Sequence, residues 1–403
     1  MTPNARLIAF INVAHLLCHY CLLILPTAVL AMVAEGGAFG REYGPILALA
    51  TGMFVLYGLL SLPQGWLAAR FGRRRMIAAY FFGTGSALLA SACAPKPLAL
   101  ELTLAAAGGF AAIYHPLGTA MLVEAAGERP GRALGFNGMC GNAGVSLAPV
   151  ITAAIAARFG WQAAFAAPGL LFLGLGTAWL RLPPLDTSGG RAARAFGPIP
   201  RALVRRAVTV LLLLAAVSGL VFNAFTLLVP KLMQERLDGH ALPLIGAAAF
   251  GATLCGALSQ FTVGRLIDRM TLRRLFLPVS LVVAPGLLAL ALVPGWPAVG
   301  VAGLVAAALF GQVTLTETMA ARYVAPELRE RIYSLRFFIG FLGAAAAAPV
   351  VGLLHERTGS LAVPTMLLAA VSVATLGCAL FFPDRPEELR PELWAAAAAA
   401  PAE

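Results

Sequence analysis

The sequence predicts an all-α membrane protein of twelve transmembrane helices, arranged as two pseudo-symmetric six-helix bundles. Three observations predict it: the composition, the length and number of the apolar runs, and an internal repeat. Of 403 residues, 60% are hydrophobic and 12% charged, against about 45–50% apolar and about 25% charged in ordinary soluble domains. That balance leaves little room for a soluble enzyme. The net charge of +11 would suit a nucleic-acid binder only if the basic residues formed one accessible stripe. They are instead dealt out between the apolar runs, and no nucleic-acid partner is expected. Lys96 and Lys231 are the only lysines among the 29 basic residues. The six cysteines all fall in apolar segments without zinc-like or thioredoxin-like spacing, so no disulfide framework is indicated.

A helical span needs about 20 apolar residues. Cutting the chain at charges and at Gly/Pro clusters gives runs at 7–33, 44–69, 75–94, 97–123, 133–158 and 161–182, then 207–233, 241–268, 273–294, 296–323, 332–355 and 360–383. The first run follows a single Arg6 and exceeds the about 7–15 residues of a signal-peptide core, so it reads as an uncleaved span. A polar stretch rich in Arg, Pro and Gly separates the sixth and seventh runs. The expected organisation is an N-terminal bundle at 1–182, an interdomain loop at 183–206, a C-terminal bundle at 207–383 and a tail at 384–403. With both termini cytoplasmic, 23 of the 29 basic residues fall on the inner side, as the positive-inside rule requires. The expected location is a bacterial-type inner membrane.

The repeat is direct. Gly65 to Arg75 reads GWLAARFGRRR and Gly264 to Arg274 reads GRLIDRMTLRR, an offset of 199 residues that also carries Arg132 to Arg331, Gly141 to Gly340 and Gly144 to Gly343. Two six-span halves of the same orientation imply a parallel repeat about an axis along the membrane normal, with a site between the halves.

These two loops resemble the major facilitator superfamily, over almost the whole chain. The family pattern G-x-L-x-D-R-x-G-R-R is matched by Gly65, Leu67, Arg70, Gly72, Arg73 and Arg74, and again by Gly264, Leu266, Asp268, Arg269 and Arg273. Ala69 stands where the first copy expects Asp. The resemblance implies that both loops latch the cytoplasmic side in the outward-open state, with Asp268 mattering more because Ala69 offers no acid. The glycines Gly65 and Gly264 suit close helix approach, while the arginines suit an anionic leaflet, helix ends or carboxylates. Tyr114-His115-Pro116, followed by the Gly-rich segment from Arg132 to Pro149, is similar to the fosmidomycin-resistance branch, with Leu117 in place of that branch's Glu. The ladder Gly135, Gly138, Gly141 and Gly144 resembles the Gly-rich antiporter motif of exporters but lacks its Gly-Pro pair, and close packing of the fifth span on a neighbour is the preferred reading.

Polar side chains at membrane depth are costly and mark candidate sites. The resemblance implies that spans one, four, seven and ten line the cavity. Asn12, His15 and His19 share one stripe of the first span. His15 and His115 each lie about 12 Å from the arginine-side boundary, at ~1.5 Å of rise per residue. Such a pair could share a proton, since histidine titrates near neutrality, bind an anionic or polar substrate, or ligate a metal; the alternative is that each ring fixes helix packing through a backbone carbonyl. Glu317, on the tenth span, is the one acid well inside an apolar run. A carboxyl in apolar surroundings suits proton coupling, and the alternative is a structural ion pair with Arg336 or Arg322. Asn223 and Gln312 are neutral candidates for the same cavity, although such residues are more often helix-packing glue than ligand contacts.

The function expected is a proton-coupled secondary transporter of a small polar or amphipathic solute, efflux favoured over uptake, working by alternating access. A monomer is expected, its partners being solute, protons and lipid, with no cofactor and no resident metal. Two alternatives stand beside it: a copper or zinc transporter using His15, Cys18 and His19, and a non-transporting sensor or assembly factor on the same fold. Neither a hydrolase triad nor a nucleotide-binding loop occurs in the sequence, and no enzyme is expected.

Overall fold

The computed structural model describes residues 3–126, 130–182, 199–324 and 326–389. Among them the chain is helical and contains no strand. Eleven segments are long and apolar enough to cross a membrane. They are α1 (Asn4–Glu35), α2 (Tyr43–Ser61), α4 (Pro97–Ala126), α5 (Gly135–Phe159), α6 (Trp161–Leu180), α7 (Arg201–Arg236), α8 (Leu242–Ile267), α9 (Leu272–Leu292), α10 (Pro297–Tyr323), α11 (Leu335–Thr358) and α12 (Ala362–Phe381). The expected third span is present as α3 (Arg73–Ala92), a 20-residue helix. Its three leading arginines and its Gly83, Thr84, Gly85 and Ser86 dilute its apolar character, and it packs between α4 and α6.

Prolines set the irregularities. α1 breaks at Leu23, three residues before Pro26, and α4 breaks at Ala112–Ile113, ahead of Pro116. In each case the proline has no N–H for the carbonyl four residues earlier. The break in α4 falls immediately before Tyr114 and His115. The seventh helix starts at Arg201, six residues before the expected boundary, with Pro200 at its N-cap. Apolarity ends at 207, but Arg, Ala and Leu are good helix formers and carry the helix outward. Part of the tail also has structure: Pro386–Leu389 forms a 3-10 turn whose Glu388 is buried.

The two halves pack alike. In the first, α1 lies on α5, α2 on α4 and α3 on α6; in the second, α7 lies on α11, α8 on α10 and α9 on α12. Every pair in one half has its counterpart in the other, as the 199-residue repeat requires. The halves meet along α5 with α8 and along α2 with α11. Contact is closest at the end opposite the arginine-rich loops. There a Cβ on Gly246 would fall 2.7 Å from the Pro149 carbonyl oxygen, and one on Gly44 would fall 2.6 Å from that of Gly352. One buried cluster runs through the first half and into this end of the second. A separate cluster, including Leu211, Phe276, Met319 and Phe382, fills the arginine side of the second half alone.

Candidate functional site

The α4 break and the neighbouring helix α1 bring three imidazoles together. The His15 ring lies 5.0 Å from both His19 and His115, and His19 lies 5.2 Å from His115, centroid to centroid. Their ligating nitrogens all fall within 4.8 Å of one another. The equal depth of His15 and His115 expected from helical rise is thus realised as contact, with His19 one turn further along the same stripe. His15 Nδ1 donates to the Asn137 carbonyl, 2.7 Å away, so in the neutral ring Nε2 carries the lone pair.

Asn137, on α5, is the hub of this region. Its Nδ2 donates to Asn12 Oδ1 and to the Tyr114 hydroxyl, both at 2.9 Å, and the hydroxyl donates to the Ile11 carbonyl at 3.1 Å. Asn12, Tyr114 and Asn137 are all buried. Asn12 and Tyr114 therefore belong to the site as its supporting layer. Asn137 escaped the sequence reading because a neutral amide inside a glycine ladder reads as helix packing. The ladder itself divides: Gly141 makes room for the His15 ring and Gly144 for the Leu16 carbonyl, whereas a Cβ on Gly135 or Gly138 would meet no atom of the described residues within 4 Å. Cys18 turns away from the imidazoles, its thiol 3.4 Å from the Tyr57 hydroxyl and 3.7 Å from the Ala111 carbonyl. Leu117 is buried.

The facing half contributes a different chemistry. Arg336 Nη2 donates to Glu317 Oε1 at 3.1 Å and to Thr316 Oγ1 at 3.3 Å. The Glu317 side chain is 45% exposed and that of Arg336 14%, so the pair is accessible from the acid's side. Arg336 also lines a cavity of about 110 Å³ with Ser218, Phe222, Phe337 and Gly340. Phe337 joins the two parts, its ring 5.0 Å from that of His115. Asn223 and Gln312 do not line this cavity but bond residues that do. Asn223 bonds the carbonyls of Gly219 and Gly340, and the fully buried Gln312 accepts from Ser218 and donates to Ser280. Both tie α7 to its neighbours. The sequence reading also missed Asn142, which donates to Gln260 across the halves.

Of the loop residues expected to latch the halves in the outward-open state, Arg73 and Arg74 bond within their own half here. Arg73 pairs with Glu124 at 2.6 Å, and Arg74 donates to the carbonyls of Leu180 and Leu182 at the end of α6. Arg70, Asp268 and Arg269 are exposed and Arg273 is half-buried. Among the described residues the close approach expected at Gly65 and Gly264 is not found: a Cβ on either would meet none of their atoms within 4 Å. The arginine-side ends stand apart here, so the small residues have no helix to admit. Gly72 has another role, ending the short helix Gln64–Phe71 with φ 84°, a conformation that favours glycine. The side chains of Arg132 and Arg331 lie outside the described residues.

Comparisons with known proteins bear on the whole chain. The model of the Major Facilitator Superfamily matches residues 16–255 and again 239–403. An uncharacterized MFS-type transporter of Bacillus subtilis, YfnC, is 26% identical over 315 residues, covering 75% of each chain. The puromycin resistance protein pur8 of Streptomyces alboniger is 34% identical over 149 residues, 36% of this chain and 29% of that one. The fold is shared with a bacterial homolog of the human lysosomal transporter Spinster. Its inward-facing, unoccupied form matches with a TM-score of 0.68 at 14% identity, covering 99% of this chain and 96% of that one. Its inward-facing, occupied form matches with a TM-score of 0.69 at 15% identity, covering 98% of each.

Proposed function

The chain belongs to the Major Facilitator Superfamily of transporters, and within that family we propose that it is a proton-coupled exporter of a small amphipathic solute. The observation that carries this reading is the junction at Phe337. On one side stand His15, His19 and His115, and on the other an apolar cavity walled by Phe222, Phe337 and Arg336, with Glu317 held by that arginine. The aromatic walls suit an amphipathic body and the polar groups suit its head. Glu317 is the proton carrier: its salt bridge releases when the carboxyl takes up a proton, and reforms on deprotonation. Export is favoured by the similarity to a puromycin resistance protein.

With the arginine-rich loops on the cytoplasmic face of a bacterial-type inner membrane, the chain is open toward the cytoplasm and closed outside. Alternating access then consists of parting α2 from α11 and α5 from α8 at the outer end, while the loops around Gly65–Arg74 and Gly264–Arg273 close at the inner end.

The test uses everted membrane vesicles with puromycin as probe. Acidifying the lumen should drive puromycin accumulation that a protonophore abolishes, and Glu317→Gln should remove the response to the gradient while the protein remains folded. Accumulation by Glu317→Gln at the wild-type rate would overturn the assignment of the proton carrier. Absence of gradient-driven flux with puromycin and a panel of amphipathic cations and anions would overturn the exporter reading.

A further inference from the structure

We propose that His15, His19 and His115 form a binding site for a divalent transition-metal ion of the zinc class, with a fourth coordination position open to an anionic donor of the carried solute. This names the cargo of the central site as a metal complex, and it rests on the reading of that site as the solute-binding one.

The packing explanation for buried histidines accounts for little here. It requires each ring to satisfy its nitrogens on neighbouring backbone or hydroxyl groups. Among the described residues only His15 Nδ1 finds such a partner, whereas His15 Nε2 and His115 Nε2 are buried without a hydrogen bond. His15 is only 8% exposed, and an unsatisfied buried polar atom costs about 1–3 kcal/mol. Two such atoms in one cluster of three imidazoles are a poor packing solution and a good ligand set. A metal ion takes up the lone pairs that nothing else uses.

The geometry is near what an ion requires. Three nitrogens at Zn–N distances of about 2.0–2.1 Å in a tetrahedron are about 3.3 Å apart, and the ligating nitrogens here fall within 4.8 Å of one another. Small rotations about the side-chain torsions close that gap. The surrounding layer is also of the expected kind, since a metal-ligating histidine characteristically donates its other N–H to a carbonyl or carboxylate. His15 Nδ1 does so to Asn137, and Asn137 is in turn fixed by Asn12 and Tyr114. Gly141 removes the Cβ that would otherwise stand 2.7 Å from His15 Nε2.

Two further features define the ion and its company. Because the Cys18 thiol is turned to Tyr57 and Ala111, the ligand set is nitrogen only, which suits zinc-class ions better than a soft monovalent copper. Three neutral imidazoles bring no negative charge. A bare divalent ion at membrane depth would carry its full charge into apolar surroundings, so the shell is completed by an anionic oxygen or nitrogen donor entering from the cavity.

The test is a Co²⁺ titration of the purified full-length protein in detergent, carrying a histidine-free affinity tag, with Co²⁺ as the visible-absorbing substitute for zinc. Expected are one Co²⁺ per chain, the intense visible bands of tetrahedral coordination, displacement by Zn²⁺, and a change of those bands on adding azide. His15→Ala, His19→Ala and His115→Ala should each weaken binding about 100-fold or more, and Asn137→Ala about 10–100-fold through the outer layer. Where an alanine variant does not fold, His19→Gln and His115→Gln replace it. A wild-type protein that binds no Co²⁺, or histidine variants that bind it as tightly as wild type, would overturn the site; bands indifferent to azide would overturn the anionic fourth ligand. The titration needs no proton gradient, so lost Co²⁺ binding with intact puromycin flux strikes only the metal site, while intact binding without flux strikes only the exporter reading.

Discussion

Gly44 and Gly352 meet backbone to backbone between the two halves, so closely that a Cβ on Gly44 would lie 2.6 Å from the Gly352 carbonyl oxygen and 2.9 Å from its Cα. The contact is braced on both flanks. Glu356 accepts from the Gly44 amide at 2.8 Å, and Tyr43 lies against the His355 ring and beneath the Lys231 ammonium. Gly44→Ala or Gly352→Ala should therefore disfavour closure of this end, because the obstacle is main chain and cannot rotate away. Overpacking of this kind costs about 1–3 kcal/mol, which is about a 5–150-fold shift in a two-state equilibrium. Distances between spin labels at the outer ends of α2 and α11 should lengthen in either variant. An unchanged distance distribution would show that the closed end does not depend on this contact.

Gly141 and Gly138 separate two roles within one glycine ladder. A methyl at 141 would press on the His15 ring, whereas one at 138 meets no atom of the described residues within 4 Å. Gly138→Ala should stabilise the helix by about 0.5–1 kcal/mol, the backbone-entropy difference between the two residues. Gly141→Ala should displace His15 and lower both thermal stability and transport. Equal melting temperatures for the two variants would refute the division.

The histidine cluster and the ladder also mark how far the sequence alone reaches. The equal depth of His15 and His115 follows from a constant rise per residue, and a shared stripe for His15 and His19 follows from their spacing. Paired packing of the halves follows from the repeat at Gly65 and Gly264. What periodicity does not contain is the direction of a side chain between two stripes. Cys18 lies three residues from His15 and one from His19, and its thiol goes to Tyr57. Asn137 becomes a hub only because α5 crosses α1 and α4 at that level, a tertiary fact without a local signature. Arg73 and Arg74 reach a carboxylate and a helix end, as their chemistry suits, but nothing local in the sequence says which half supplies those partners.

Asn137→Ala tests the hub directly. The substitution leaves Asn12 Oδ1 without its donor and the Tyr114 hydroxyl without one of its partners, both in buried positions. Each buried group left unsatisfied costs about 1–3 kcal/mol, so a loss of several degrees in melting temperature in detergent is expected. Asn137→Asp keeps the backbone carbonyl that holds His15 but removes both amide hydrogens, and should be no better tolerated. Wild-type melting of both variants would rule out a structural role for the network.

Glu388 gives the fold a pH dependence at its surface end. Its carboxylate accepts from the Tyr323 hydroxyl at 2.7 Å and from the Leu272 amide, with Arg322 3.8 Å away. Burial nevertheless pushes the carboxyl above its ordinary value of 4.5, outweighing the hydrogen bonds and the arginine that pull it down. A carboxyl raised in the docked state favours docking in its protonated form. That contribution is complete below pH 4.5 and is lost as pH rises through the raised value. Hydrogen exchange of the segment 384–389, corrected for the intrinsic rate, should accordingly be slowest on the acid side. Glu388→Gln should keep the segment docked and flatten the pH dependence, because the amide oxygen still accepts without carrying charge. Glu388→Ala should speed exchange by the equivalent of about 1–3 kcal/mol, the cost of leaving the Leu272 amide unpartnered in a buried position. A segment that exchanges equally fast in all three proteins would mean that Glu388 does not hold it.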